Sequence, residues 1–91
     1  MWTVRIQKKA DKSLKRLPLL VQKAFDALTA DLKVNGPVAG NWPNYGKLGE
    51  DRHHCHLKKG KPTYVSVWWE VRNETRTIEV SYVGTHENAP Y

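Results

Sequence analysis

Apolar positions follow two different periods along the chain. Residues 2–7 alternate, which places Trp2, Val4 and Ile6 on the core side of a first strand. From Lys8 to Leu17, Ala10, Leu14 and Leu17 are set among Lys8, Lys9, Lys12, Lys15 and Arg16, the pattern of a short basic helix. Pro18 breaks it and suits the first turn of a second helix. Over Leu19 to about Val34, Val21, Phe25, Leu28 and Leu32 recur at helical spacing with Leu20, Ala24 and Ala27 beside them. Asn35-Gly36-Pro37 ends this helix, because it supplies a left-handed cap and then a residue that cannot continue. Leu14 and Leu17 are spaced to pack on the second helix as a helical hairpin.

Past a loop from Val38 to Gly46, rich in Gly, Pro and Asn, the period becomes two. Trp42 and Tyr45 lie in that loop, and core packing is expected for them, since aromatics are a main source of buried area in a small domain. A strand enters near Lys47 and runs through His56, and Lys59-Gly60-Lys61-Pro62 is a turn. The strongest strand is Thr63 to Val71. Thr63, Val65, Val67, Trp69 and Val71 share the expected core face, and Tyr64, Ser66, Trp68 and Glu70 the other. After a turn at Arg72–Thr75, Arg76 to Val83 carries Ile78, Val80 and Tyr82 on its apolar side. Tight turns between consecutive strands imply antiparallel pairing. The expected fold is α+β: strand, helix, helix, then an antiparallel meander, with both helices on one face of a small twisted sheet.

Composition changes this picture little. The chain has 91 residues, 40% hydrophobic and 26% charged, which points to one folded domain over residues 1–91 rather than two domains or disorder. A single cysteine cannot form an internal disulfide. No apolar run approaches the roughly 18 residues of a membrane span, and the first residues lack a signal-peptide pattern, so a cytoplasmic protein without membrane contact is expected. The net charge of +6 predicts attraction to a polyanion or an acidic protein.

The chemistry concentrates in Arg52-His53-His54-Cys55-His56-Leu57-Lys58-Lys59. On a strand, Arg52, His54, His56 and Lys58 fall on one face, and His53, Cys55 and Leu57 turn to the core. Ser66, Trp68 and Glu79 are expected on the same open face, with Lys47 on that side and the tail Gly84 to Tyr91 at its end. Metal is not expected: His53 and Cys55 point away from His54 and His56, whereas a closed zinc site needs four converging ligands, and a His54-His56-His86 site would need the tail to fold over. Cys55 faces the core, where thiols are inert, and Ser66 has no Asp–His relay. No phosphate-binding glycine loop or dinucleotide fingerprint occurs, and no cofactor is expected. The residue types His54, His56, His86, Arg52, Lys58 and Tyr91 suit RNA cleavage. A base deprotonates the 2′-hydroxyl, an acid protonates the leaving 5′-oxygen, and cations stabilise the charge between them.

The helix–strand order, the segment His54-Cys55-His56-Leu57-Lys58-Lys59-Gly60 and the ending Tyr82-Val83-Gly84-Thr85-His86-Glu87 with Tyr91 resemble the RelE/ParE superfamily of bacterial type II toxins. The Gly-Thr-His ending resembles the RelE-type mRNA interferases, YafQ-like ones in particular. The resemblance implies a microbial RNase-like fold and metal-independent cleavage of mRNA in the ribosomal A site, held in check by an antitoxin, here expected to be acidic. It implies catalytic roles for His54, His56, His86 and Tyr91; the open cationic face adds Lys47, Arg52, Lys58 and Trp68 as the expected RNA contacts. Two other readings stand beside it: a ParE-like gyrase inhibitor, and a basic nucleic-acid-binding module without chemistry.

Overall fold

The computed structural model describes residues 1–58 and 60–91; Lys59, expected in the turn after the histidine strand, lies outside the described residues. Strand β1 is Thr3–Ile6, followed by helices α1 at Lys8–Leu14 and α2 at Leu19–Asn35. Four strands follow: β2 at Gly46–Lys47, β3 at Arg52–Lys58, β4 at Tyr64–Glu70 and β5 at Thr77–Thr85. A short 3-10 turn at His86–Asn88 leads into the tail. The sheet order is β1-β5-β4-β3-β2, and β2 through β5 form the expected antiparallel meander. The sheet as a whole is mixed, because β1 pairs parallel with β5 at the far edge. The intervening helices allow this, as parallel strands need a long crossover.

Both helices share one core against one sheet face. Ala10 from α1 and Val21, Phe25, Leu28 and Leu32 from α2 cluster with Cys55, Leu57, Ile78 and Val80. Gly36, at φ 88, ends α2, and its N–H donates to the Leu32 carbonyl. Trp42 and Tyr45 pack on the core as expected, and Trp42 Nε1 donates to Asp31 at 2.7 Å. Ile6 lies partly open to solvent rather than in the core.

The face assignment of β4 is corrected. Trp68 lies opposite His53 and Ser66 opposite Cys55, so Tyr64, Ser66 and Trp68 face the helices. Val65 and Val67 lie opposite His56 and His54, on the other face, yet both are fully buried. Trp69 is on that face and exposed. A central strand buried on both faces reads as a continuous apolar run, so its alternation carries no information about which face is which. Trp68 is therefore buried in the core, with Nε1 donating to the Pro37 carbonyl at 2.9 Å, and cannot contact RNA.

Tyr82 is also on the opposite face from the one expected. The β4–β5 register shifts between Val67, opposite Tyr82, and Trp68, opposite Val80. Ser81 is thus an extra residue in β5. A bulge of this kind reverses the alternation beyond it, so Val83 enters the helix-side core and Tyr82 faces away from the helices.

Candidate functional site

The alternation of β3 matches the expectation through His56. His53, Cys55 and Leu57 are buried, while His54 and His56 are half-buried on the open face. The tail then folds across that face. The His86 backbone N–H donates to the Thr63 carbonyl at 2.9 Å, which anchors the start of the tail beside β4. Tyr82 Oη donates to the Thr85 carbonyl at 2.7 Å one residue earlier. From there the rings converge. His56 and His86 have centroids 5.5 Å apart, edge to face. His54 and Tyr91 are 4.9 Å apart, and His86 and Tyr91 6.0 Å. Residues 30 or more positions apart in sequence thus form one four-ring cluster.

Local backbone features hold these rings. The His56 N–H donates to the Pro43 carbonyl at 2.8 Å and docks the preceding loop. Asn44, at φ 51, places its side-chain amide nitrogen 3.1 Å from His56 Nδ1 and 3.4 Å from Nε2. Near-equal distances to both nitrogens put the amide over the ring rather than along either lone pair. A Cβ on Gly46 would lie 3.1 Å from His54 Nε2, so glycine there leaves space for the imidazole. His54 Nδ1 is buried and finds no hydrogen-bond partner among the described residues.

Electrostatics favour neutral rings. Burial, then the neighbouring His56 and His86, lower the His54 pKa from its ordinary value. Burial, then His86, do the same for His56. Burial raises the Tyr91 pKa, as do Cys55 and Tyr82, so the phenol keeps its proton near neutral pH. Burial pushes the Cys55 thiol up to about 12, and a thiol so held is no nucleophile. His53 belongs to the core: Tyr45 Oη is 2.7 Å from its Nδ1, and its ring stacks on Trp68.

One cleft borders the rings of His56 and His86, and a second, lined by none of the four rings, opens beside Arg52. The first, of about 620 Å³, is lined by His56, Lys61, Pro62, Thr63, Thr85, His86 and Glu87. The second, of about 430 Å³, joins Arg52 to Lys9, Ser13, Tyr82 and the tail residues Asn88 and Pro90. Arg52 is exposed on the histidine face. Lys58 is exposed, but a register irregularity after His56 sets it opposite Tyr64, and it lines neither cleft. Lys47 is corrected: it belongs to the separate strand β2 and lies opposite His53, on the face away from His54 and His56. Sequence reasoning missed Asn44, Gly46, Lys61 and Lys9 as neighbours of the site. Asn44 and Lys61 sit in turns and loops with no periodicity, Gly46 opens the two-residue strand β2, and Lys9 was one of several basic residues on its helix. Among the described residues no group of three or more His, Cys, Asp or Glu side chains is arranged to hold a metal ion. Among them also, no helix is long and apolar enough to cross a membrane.

The order of elements and the mixed sheet recur in solved toxin structures. The chain has the RelE-type toxin fold. The structure of the YoeB dimer from Staphylococcus aureus is similar at a TM-score of 0.71 and 13% identity, covering 93% of this chain and 97% of that one. The isolated E. coli RelE toxin matches at 0.70 and 17% identity, over 99% of this chain and 89% of that one. The archaeal RelE–RelB complex from Pyrococcus horikoshii OT3 matches at 0.68 and 16%, over 97% and 98%. No family model and no curated protein matches the sequence. At these identities the likeness is one of RelE-type fold rather than of sequence.

Proposed function

We propose that this protein is the toxin of a type II toxin–antitoxin pair and cleaves mRNA on the ribosome by metal-independent acid–base chemistry. The observation that carries this reading is the convergence of His54, His56, His86 and Tyr91 on one sheet face. The RelE-type fold supports it, and the solved RelE–RelB complex is a precedent for an antitoxin partner.

In the proposed reaction a neutral imidazole takes the proton of a ribose 2′-hydroxyl, whose oxygen attacks the adjacent phosphorus. The P–O5′ bond breaks, a second imidazole protonates the leaving oxygen, and a 2′,3′-cyclic phosphate remains. In-line attack needs base and acid on opposite sides of the phosphorus. His86 approaches from the tail, and His54 and His56 from β3. One of the latter pair and His86 share the two roles. Tyr91, protonated and packed on His54, supplies a donor or a stacking surface. Arg52, Lys58 and Lys61 are the cations for phosphate, although only Arg52 and Lys61 of these line the two clefts. A cytoplasmic site of action follows from the ribosomal substrate.

The test is induced expression with primer extension on a reporter mRNA in a translation extract, run alongside a supercoiling assay with DNA gyrase. Cleavage at A-site codons that persists with a zinc-selective chelator, the ribosome's magnesium being left in place, supports the proposal. Growth arrest with intact mRNA and inhibited supercoiling would replace it with the gyrase reading.

A further inference from the structure

We propose that Trp69 and Arg52 form a nucleobase-stacking subsite on the open sheet face, about one nucleotide from the histidine cluster, for single-stranded RNA. The inference rests on the endonuclease reading only in taking RNA as the ligand. Its starting point is the corrected face of β4. Trp68 and Trp69 exchange the roles that alternation suggested: Trp68 is in the core, and Trp69 is 36% exposed on the same face as His54. Trp2 and Trp42 are partly buried against the core, so Trp69 is the most exposed of the tryptophans.

Its position relative to the site follows from the register. Trp69 lies directly opposite Arg52, and Arg52 precedes His54 by two residues on one strand. Cross-strand neighbours have Cβ atoms about 5 Å apart, and i,i+2 residues on a strand are roughly 6–7 Å apart. An indole, a guanidinium and an imidazole therefore lie in sequence across one surface. The second cleft continues from Arg52 towards Tyr82 and the tail.

The indole is held in place before any ligand arrives. Its Nε1 donates to Glu79 Oε2 at 3.3 Å. Glu79 also accepts from Gln7 at 2.8 Å and pairs with Arg5 at 3.2 Å. A ring clamped by its N–H loses little freedom when a base stacks on it. The acidic groups on this side are already engaged: Arg5 pairs with Glu74 and Glu79, and Arg72 with Glu50 and Asp51, while Glu70 lies opposite Ile78 on the other face. Arg52 makes no ion pair among the described residues and is available to a phosphate oxygen. An unpaired cation beside a fixed aromatic ring suits a polyanion whose repeating units carry π faces. Because every base has such a face, the subsite accepts any base.

The test measures binding rather than cleavage. Full-length protein is titrated with an RNA octamer in which 2′-O-methyl groups block attack, and a single abasic nucleotide is moved along it. Affinity is read by anisotropy, and the four indole N–H resonances by NMR. Trp69→Ala is expected to weaken binding about 10-fold, within the range for one lost stacked base, with Trp69→Phe retaining most of the affinity. One abasic position should weaken the wild type equally and Trp69→Ala not at all, and RNA should shift the Trp69 indole resonance. Unchanged affinity in a folded Trp69→Ala, no abasic position coupled to Trp69, or no octamer binding overturns the subsite. So does loss of affinity for an acidic protein partner with octamer binding intact, which would make Trp69 a protein contact. Because the octamer cannot be cleaved, abasic coupling in a protein that cuts no mRNA overturns the endonuclease reading alone.

Discussion

His53 and His54 are adjacent in sequence and opposite in consequence. His53 is 2% exposed, hydrogen-bonded to Tyr45 and stacked on Trp68, so His53→Ala removes core volume and leaves the half-buried Tyr45 phenol without its partner. A loss of about 2–4 kcal/mol is expected, the range for large-to-small core changes, read from urea midpoints, with the cleavage rate per folded molecule little changed. Burial, with Lys47 adding to it, lowers the His53 pKa, and the pKa values of His54 and His56 are lowered as well. Folding therefore favours the neutral rings. Their contribution to stability is complete above the unfolded-state pKa of about 6.5 and is lost as pH falls towards the folded values. Urea midpoints measured between pH 7.5 and 5 should fall, and less so in His53→Gln. At the site the same shifts keep a base neutral near pH 7. His86→Ala should cost about 10²–10⁴ in cleavage rate, the scale of a lost general acid or base. It should also raise the His56 pKa, because the His86 charge helps to lower it. NMR titration of the imidazoles checks this independently of activity. A His56 pKa that does not move would separate His86 from His56 in solution.

At the level of elements, two glycines set where the rings can be. A Cβ on Gly84 would come within 2.7 Å of Tyr82 Oη and 3.0 Å of its Cζ. That ring reaches its position through the Ser81 bulge and anchors Thr85, the residue before His86. Gly84→Ala is expected to cost about 1–3 kcal/mol as an overpacking change and to reduce cleavage by displacing the tail. Adding Tyr82→Phe removes the nearest atom and should recover part of the stability, but not the cleavage, because it also removes the Thr85 anchor. Gly46→Ala meets only the His54 ring, at 3.1 Å. It should lower activity with little change in thermal stability, because a side chain on the open face yields instead of the core. Equal losses of stability from Gly46→Ala and Gly84→Ala would contradict this division.

Across the whole molecule, the net charge of +6 is not spread evenly over the chemistry. Near Trp69, Glu74 and Glu79 are matched by Arg5, and Glu50 and Asp51 by Arg72. Lys9, Arg52 and Lys61 line the two clefts. An acidic antitoxin segment covering this face should associate at a rate that falls steeply with salt, since the Debye length shortens from about 10 Å at 0.1 M to about 3 Å at 1 M. Stopped-flow association measured across that range checks it. A rate independent of salt would place the contact on an apolar surface instead.

Periodicity alone was enough for the elements whose two sides differ in polarity. The helix-to-strand order, the Gly36 stop after α2 and the split of β3 into His53/Cys55/Leu57 and His54/His56 were all legible, because one side of each element is wet and the other dry. Where both faces are buried, as in β4, apolar residues stand on each side and the pattern is silent, which is why Trp68 and Trp69 were exchanged. The Ser81 bulge inserts one residue into a strand and reverses alternation without a compositional mark, so the side taken by Tyr82 was decided by pairing with β4. The short strand that puts Lys47 opposite His53, and the parallel edge made by β1, also depend on partners distant in sequence. The types of residue in the candidate site could be read from the chain. Their convergence could not, because 30 or more residues separate β3 from the tail and only the packed sheet brings His54 and His56 to His86 and Tyr91.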